Sequence, residues 1–382
     1  MKFQRWGKWV AGAVCGVALV CGTTTDAKET SIADVFPSLG RSVRSLGMGN
    51  VGLTLPGDDP MVMFYNPAAL QDLPHSPQWM APSLTASINK DLIATTKDVL
   101  NMLDDLDNSG TQTGDLGVFE TFFNKRVGQF QQVEVNTPLF AFGMKGWGAA
   151  LLLDSRTTFS LRNRAFPNFE MRTRNDGAVA VGKSIGLWGD DLAIGVMAKG
   201  IYRVERDKII TTNEVIANTV KDQLRWSSWG KGIGFGGDVG VRWRLPFLWD
   251  LKPVVAVTYQ DIGNTRFRKT ALTDTPQSLN AAIGFQPKIG DVDVFIEASA
   301  TQLNQKRDLM TRLHAGAEVR FPQWGIFQLS LRGGTNQGYA SGGFTVDLKA
   351  VRIDGAFFGE EIGDRKRQGS SYKYAVAIGT HF

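Results

Sequence analysis

The last twelve residues of the chain alternate between two kinds of side chain. Counting back from the C-terminus, every second position is mostly apolar or aromatic, in the order Phe382, Thr380, Ile378, Val376, Tyr374 and Tyr372. The positions between them carry mainly small or polar residues. Successive side chains of a β-strand point to opposite sides, so a period of two residues predicts a strand with one apolar face.

The same alternation recurs upstream, where Leu329 and Leu331 flank Ser330 and charged residues are concentrated on one face. We predict strands at 78–90, 131–144, 146–161, 168–184, 190–206, 230–244, 251–261, 278–287, 290–302, 309–321, 324–334, 339–349, 351–360 and 371–382. An even number of antiparallel strands is what a closed outer-membrane barrel requires. The pattern therefore predicts an all-β fold, an antiparallel transmembrane β-barrel of about 14 strands.

Connection lengths favour a barrel over a soluble β-sandwich. Several predicted connections are short turns, whereas others are long and polar or helical, at 91–130, 207–229, 262–277, 303–308 and 361–370. Outer-membrane barrels have short periplasmic turns and longer extracellular loops. We therefore expect both termini to face the periplasm. Apolar residues at helical spacing further predict helical extracellular loops, with a helical insert at 91–130.

The N-terminus carries an export signal. Lys2, Arg5 and Lys8 precede an apolar run over 9–21, and Thr25-Asp26-Ala27 follows as a small-x-small cleavage pattern. The run is shorter than the roughly 20 residues of a membrane-spanning helix. We therefore predict a signal peptide at 1–27. Both cysteines of the chain lie within it, so we expect a mature protein without disulfides or thiol chemistry.

Residues 28–77 follow neither a strand nor a helix pattern. They contain Gly47 and Gly49, the pair Asp58-Asp59, and Asn66-Pro67-Ala68 just before the first strand. Glycine permits close backbone approach, and Asn-Pro favours a turn. A barrel of about 14 strands is wide enough to need filling. We therefore predict an N-terminal hatch (plug) at 28–77 inside a barrel formed by 78–382.

This block resembles a known superfamily. The Gly-Met-Gly stretch, the Asp-Asp pair and Tyr-Asn-Pro-Ala-Ala-Leu ahead of a 14-strand barrel are similar to the FadL-type long-chain fatty-acid transporters, a group that includes PorV-type secretion proteins and TraF-like conjugation proteins. The resemblance implies that Asn66, Pro67 and Ala68 form a hatch motif. It also implies entry of apolar ligands at the extracellular loops and sideways exit beside a kinked strand. The long first loop and charged lumen depart from the fatty-acid transporters, and the loop is closer to the TraF-like branch.

The sequence offers little chemistry for catalysis. Its three histidines are scattered, so we expect no metal, no cofactor and no enzyme activity. A Ser299–His314 pair is the one hydrolase candidate, and it lacks an orienting third residue or an oxyanion site. The run Gly232–Gly237 fits a strand better than a nucleotide-binding loop, because no helix follows it.

These features predict passive transport of small hydrophobic molecules across the outer membrane. The alternative is a membrane-anchored interaction or shuttle component of a secretion or conjugation apparatus, PorV-like or TraF-like. The C-terminal strand, with Tyr374, Gly379 and Phe382, resembles the signal read by the barrel-assembly machinery. Expected partners are outer-membrane lipid and lipopolysaccharide, which basic loops at 266–269 and 365–367 would contact, and a small apolar ligand or a secretion partner; we expect no nucleic acid.

Overall fold

The computed structural model describes residues 39–80, 83–95, 129–162, 168–210, 229–246, 250–268, 272–362 and 369–380. The predicted signal peptide, the first residues of the predicted hatch, most of the helical insert, the basic run 365–367 and Phe382 lie outside these ranges. Within them, no helix is long and apolar enough to span a membrane.

Fourteen antiparallel strands form the wall, as predicted. Their bounds are β1 in two parts, Gln78–Met80 and Leu84–Asn89, β2 Phe130–Met144, β3 Trp147–Arg162, β4 Asn168–Leu187, β5 Leu192–Ile210, β6 Gly230–Arg244, β7 Pro253–Gln260, β8 Ser278–Phe285 with a short extension Lys288–Ile289, β9 Val292–Ala300, β10 Leu313–Arg320, β11 Gln328–Asn336, β12 Tyr339–Asp347, β13 Val351–Glu361 and β14 Ser370–Thr380. Each strand pairs with its sequence neighbours, and β14 pairs with β1 from Ile378↔Leu84 to Lys373↔Asn89. The ladder therefore closes on itself.

The alternation of side chains separates the two faces of the wall. Apolar residues such as Val179 and Phe235 point outward, and their side chains are 56% and 68% exposed. Charged residues point inward, where Glu318 of β10 lies opposite Arg332 of β11 in register. An outward apolar face and a polar interior are the arrangement of a barrel surrounded by lipid. Phe295 is an exception, because its buried ring packs inside the barrel with Met48, Val51 and Leu55.

The two rims differ in the length of their connections. One rim carries the turns at 145–146, 188–191, 245–252, 286–291, 321–327 and 348–350, together with the start of β1 and the end of β14. The other rim carries the long connections at 90–129, 211–229, 261–277, 301–312 and 362–369, together with a five-residue connection at 163–167 and a two-residue turn at 337–338. The predicted asymmetry between the rims is therefore present. The longest strands, β4 and β5, reach furthest toward the long-loop rim, with 20 and 19 residues.

The first strand differs from its prediction as one continuous segment. It is interrupted between Met80 and Leu84, and the register of β2 shifts between Pro138 and Phe140 at the same level. Proline lacks a backbone N–H and cannot donate to the ladder. The amide of Ser83 instead donates to the carbonyl of Pro138 at 3.0 Å. The register shift at Pro138 thus lies beside the break in β1.

Substituting a lipid-facing residue tests which face meets hydrocarbon. Val179→Arg places a cation in the outward apolar band, so we expect unfolding from lipid vesicles to become easier by roughly 2–4 kcal/mol. Met171→Arg, at an outward position near the long-loop end of the same strand, is the control with an expected cost of about 0–1 kcal/mol. Urea titrations followed by tryptophan fluorescence measure both. Equal costs for the two variants would contradict the assignment of the outer face.

Candidate functional site: the lumen and its interior segment

Residues 39–77, called the interior segment below, lie inside the ring of strands. The segment contains a short helix, α1 (Val43–Gly47), and two 3-10 turns at Pro60–Phe64 and Pro67–Asp72. Leu46 packs against inward residues of β13 and β14, whereas Leu53 packs against inward residues of β7 and β8. These strands lie on different sides of the barrel, so the segment crosses the lumen between them.

Asn66, Pro67 and Ala68 form a turn against the wall. The Asn66 side chain accepts a hydrogen bond from the Ala68 amide at 3.0 Å and caps the second 3-10 turn. Its amide nitrogen donates to the carbonyl of Leu53 at 3.0 Å. The Asn66 side chain therefore ties two parts of the interior segment together, a role that an Asn at the start of a turn is well suited to.

Two wall glycines make room for this turn. A Cβ placed at Gly195 of β5 would meet the backbone of Pro67 and Ala68, and one at Gly240 of β6 would meet the Asn66 side chain. Both separations are under 3.0 Å, which real Cβ atoms essentially never show. The run Gly232–Gly237 is therefore part of a strand, as predicted, and an inward glycine further along this strand, Gly240, admits the interior segment.

Glu297 of β9 holds the middle of the interior segment. Its carboxylate accepts hydrogen bonds from the amides of Gly52, Leu53 and Thr54, at 2.9, 3.0 and 2.8 Å, and from the Thr54 hydroxyl at 2.7 Å. The residue is only 1% exposed. Successive backbone amides form a concave anion site, and bonds to an ionised acceptor are stronger than neutral ones. No local pattern in the sequence indicates that Glu297 binds this part of the interior segment.

Gly47 and Gly49 lie where the interior segment turns beside β10, β11 and β12. Gly49 has a φ of +81°, in the left-handed region that favours glycine. Its carbonyl accepts a hydrogen bond from His314 Nδ1 at 3.1 Å. Gly47 lies against the side chain of Arg332 and the backbone of Gly343. Both glycines therefore allow the chain to pass close to the wall.

Asp58 belongs to a network of ion pairs, called the charged cluster. Arg44 contacts Asp58 at 2.5 Å and binds both carboxylate oxygens of Glu318, at 2.8 and 2.9 Å. Arg320 also pairs with Asp58, and Arg332 lies 3.4 Å from both Glu318 and Asp354. The cluster therefore joins the interior segment to β10, β11 and β13.

The two predicted aspartates differ in their electrostatics. Burial opposes ionisation of Asp58, but the Arg44 and Arg320 guanidinium groups outweigh it and hold the pKa of this carboxyl below its ordinary value. Burial dominates at Asp59 and raises its pKa, although Arg352 partly offsets the effect. Asp59 caps the first 3-10 turn by accepting from the Met61 amide at 2.8 Å. Asp58 thus forms ion pairs that attach the interior segment to the wall, and Asp59 caps the first 3-10 turn.

A second ion-pair group, the seam cluster, spans the place where the barrel closes. Arg41 pairs with Glu134 of β2 at 3.0 Å and with Glu360 of β13. Lys373 of β14 contacts the same two carboxylates, at 2.7 and 2.5 Å. Between these strands lies β1, whose longer part pairs with only three residues of β2. The cluster therefore links the strands on both sides of a short ladder.

The lumen also contains a buried apolar cluster. It joins Met61, Met63 and Phe64 of the interior segment to small inward residues of β2 to β5, including Ala141, Ala150, Ala178 and Ala180. The same cluster includes Phe267 and Leu272 from the long-loop rim and Leu70 and Leu73 beside the short turns. Apolar side chains are therefore present from one rim of the lumen to the other, along β2 to β5.

A cavity of about 420 Å³ lies on the other side of the interior segment. Its lining includes Arg44, Asp58 and Arg320 of the charged cluster, together with Ser83 and Thr85 of β1. The lining also includes Met61 and Trp79, so the space is bordered by both charged and apolar groups, and it lies next to the break in the first strand. Within the described ranges, no group of three or more His, Cys, Asp or Glu side chains is placed to hold a metal ion.

The remaining candidates are not brought together with this site. Tyr374 points outward and its ring packs on Phe357 at 5.3 Å, and Gly379 lies against Ser83, so the assembly signal stays a prediction. Ser299 and His314 are opposite each other in register. However, the two ring nitrogens of His314 bond to the Gly49 carbonyl and to Thr301 at 3.0 Å. The ring is therefore engaged away from Ser299.

Removing the charge of Glu297 tests its hold on the interior segment. In Glu297→Gln, we expect amide hydrogen exchange at 52–54 to accelerate about 30-fold, equivalent to about 2 kcal/mol, because charged acceptors bind more strongly than neutral ones. Asp293→Asn, a half-exposed position on the same strand, is the control and should leave exchange unchanged. Mass spectrometry of the peptide covering 50–56 measures both. Unchanged exchange in Glu297→Gln would refute the proposed hold.

The aspartate pair gives a matched test with a pH dependence. Asp58→Asn breaks a largely buried ion pair and should weaken docking of the interior segment by about 2 kcal/mol, whereas Asp59→Asn keeps a capping oxygen and should cost almost nothing. The pKa of Asp58 is lowered from 3.8, so its contribution is fully present above that pH and is lost as pH falls from there through the lowered pKa. The segment should therefore lose part of its protection against hydrogen exchange between pH 7 and pH 3, and the loss should be larger in the wild type than in Asp58→Asn. A wild-type segment equally protected at both pH values argues against this attachment.

Comparisons with known proteins support the fold. No protein-family model and no curated protein matches the sequence. Among solved structures, the deltaS2S3 mutant of the TodX monoaromatic hydrocarbon channel superposes with a TM-score of 0.54 at 11% identity, over 89% of this chain and 98% of that chain. The P. putida toluene transporter TodX superposes with a TM-score of 0.52 at 11% identity, over 88% and 97% of the two chains. A Pseudomonas aeruginosa FadL homologue aligns over 91% and 98% at 10% identity, with a TM-score of 0.31.

The superpositions on TodX cover nearly the whole length of both chains. They agree with the closed ladder of 14 strands. The chain therefore has the same barrel fold as TodX, and its outward apolar face is that of an outer-membrane type of barrel surrounded by lipid.

Proposed function

We propose that the protein lets small, uncharged hydrophobic molecules cross the outer membrane passively. The observation that carries this proposal is the buried apolar cluster, which follows β2 to β5 from Phe267 at one rim to Leu73 near the other. A molecule that leaves water for such surroundings gains about 25 cal/mol for each Å² of apolar surface removed from water. The resemblance in fold to the TodX channels supports the same conclusion.

In this proposal the interior segment is a hatch. It fills the lumen, and its contacts with Glu297 and the wall glycines hold it in one place. Apolar contacts are not directional, so the Met and Leu side chains of the cluster can exchange their packing for a solute at little cost. The ion pairs on the opposite side keep the hatch attached while the apolar side yields.

The proposal also orients the barrel. Short turns belong on the periplasmic side, so both termini and the cavity face the periplasm. The cavity lies beside the break in β1, where Trp79 and Pro138 also line it. This position suits release of a solute sideways through the gap.

A disulfide between the hatch and the wall tests this mechanism. The Cβ of Thr54 lies 2.9 Å from a Cβ built at Gly284, so Thr54→Cys with Gly284→Cys needs a shift of about 1 Å to reach disulfide geometry. We expect the oxidised variant to lose about 90% of its uptake rate and to regain it on reduction, because passage requires the hatch to move. The two natural cysteines lie in the predicted signal peptide and do not interfere.

The assay is uptake of labelled toluene by Gram-negative cells without a hydrocarbon channel of their own. Lipopolysaccharide is needed as the barrier, since small apolar molecules cross a plain phospholipid bilayer unaided. Each single-cysteine variant serves as the control. Uptake equal to that of cells lacking the protein would overturn the transport proposal, and uptake insensitive to oxidation would overturn only the moving hatch.

A second candidate function is supported by the ion-paired side of the lumen. The charged and seam clusters tie the hatch to five strands, as expected of a rigid anchor for an envelope apparatus. Pull-down from native membranes separates the two functions. A stoichiometric envelope partner together with no toluene uptake would favour the anchor.

A further inference from the structure

The connection between β7 and β8 folds into the mouth of the barrel. Residues 261–268 run along the inner face of β6, where an antiparallel bridge joins Phe267 to Gly234. A Cβ at Gly234 would lie 2.9 Å from the ring of Phe267. The Phe267 side chain therefore lies on the lumen side of the wall, at a position that Gly234 leaves open.

The Phe267 ring fills an apolar chamber with one cationic wall. It is buried in the same cluster as Ile201 and Leu272. The guanidinium group of Arg203 lies over the ring, with its carbon 4.0 Å from the ring centroid. A cation over an aromatic face is attracted by the ring's quadrupole, and the attraction is stronger where water is excluded.

Arg203 is held by hydrogen bonds and not by the ring: it binds Asp176 of the wall, and the Thr273 carbonyl and Thr275 hydroxyl of the connection. It is fully buried, and its Nε and one terminal nitrogen bind the two oxygens of Asp176 at 2.8 and 2.9 Å. Both residues belong to strands, β5 and β4. The flat guanidinium face therefore stays in position when Phe267 leaves. Asp176 also pairs with Arg174, and the Glu205 carboxylate lies beside this group, so two positive charges face two negative ones and the chamber is a poor site for a carboxylate.

The connection is tied to the mouth by polar contacts. The amide and hydroxyl of Thr273 bond to the Glu205 carboxylate, both at 2.9 Å, and Asp261 pairs with Lys199 at 3.0 Å. The charged groups among them are buried, so the contacts anchor the connection on both sides of Phe267. Exchange of the ring for a ligand therefore needs a movement of the Phe267 side chain between these two anchors.

We infer that the chamber filled by Phe267 is a binding site for an uncharged molecule with a single aromatic ring, and that Phe267 is its internal occupant. The inference deepens the proposed transport function and rests on it. A phenylalanine side chain is a benzyl group, the carbon skeleton of toluene, so the chamber has the size and shape for such a ring. Arg203 favours an aromatic ring over a saturated ring of equal size, because only the former has a π face.

Removing the internal occupant tests the inference. The full chain in lipid nanodiscs is titrated with 4-fluorotoluene and followed by fluorine NMR, with empty nanodiscs as the background. Phe267→Ala should bind the probe about tenfold more tightly than wild type, since a site occupied internally has its affinity reduced by the fraction that is free. Phe235→Ala, a lipid-facing ring on β6, is the matched control and should bind like wild type. Phe267→Leu keeps an apolar side chain and should give an intermediate affinity.

Competition tests the role of Arg203. Toluene should displace the probe from Phe267→Ala at least fivefold more effectively than methylcyclohexane, and adding Arg203→Met should abolish this preference. Unchanged affinity in both Phe267 variants, or equal displacement by the two competitors, would overturn the assignment. Equilibrium binding does not require transport. Toluene uptake without tighter binding by Phe267→Ala would contradict the binding site and support the transport function. Tighter binding without toluene uptake would support the binding site and contradict the transport function.

Discussion

The structure depends on one constraint, that no backbone N–H or C=O group facing hydrocarbon can be left without a partner. Strands meet this constraint only if the sheet has no edge, and the pairing of β14 with β1 removes the edge. Closure then creates an interior that lipid cannot fill. The buried charges, wall glycines and interior segment are all responses to that enclosed space.

The interior is divided by chemistry. Along β2 to β5 the buried apolar cluster consists of alanines from the wall and Met and Leu side chains from the interior segment. Along β10 to β13 the wall contributes Arg and Glu, which need the opposite charges of Arg44 and Asp58. Apolar packing can rearrange with small losses, whereas a buried ion pair that loses one partner becomes costly. The apolar side of the interior segment is therefore better suited to rearrangement, and the ion-paired side is better suited to fixed attachment to the wall.

The sequence predicted the wall well and the lumen poorly. Period-two alternation is a local signal, so it identified 14 strands and their outward faces within a few residues. Contacts inside the lumen join residues far apart in sequence, such as Glu297 with Leu53, and no local pattern encodes such a pair. Asn66 and Gly49 were found because turns and positive φ angles have local preferences. Arg203 and Phe267 were missed because neither stands out from its strand or loop.

The wall glycines have a consequence for how the protein is made. Gly195 and Gly240 admit the interior segment at separations that leave no space for a side chain. The interior segment also continues directly into β1, which pairs with β14 to close the barrel. A finished, empty cylinder offers no route by which so close a fit can be threaded afterwards. We therefore expect closure of the barrel and packing of the interior segment to occur together during biogenesis, with the N-terminal residues in place before β1 and β14 pair.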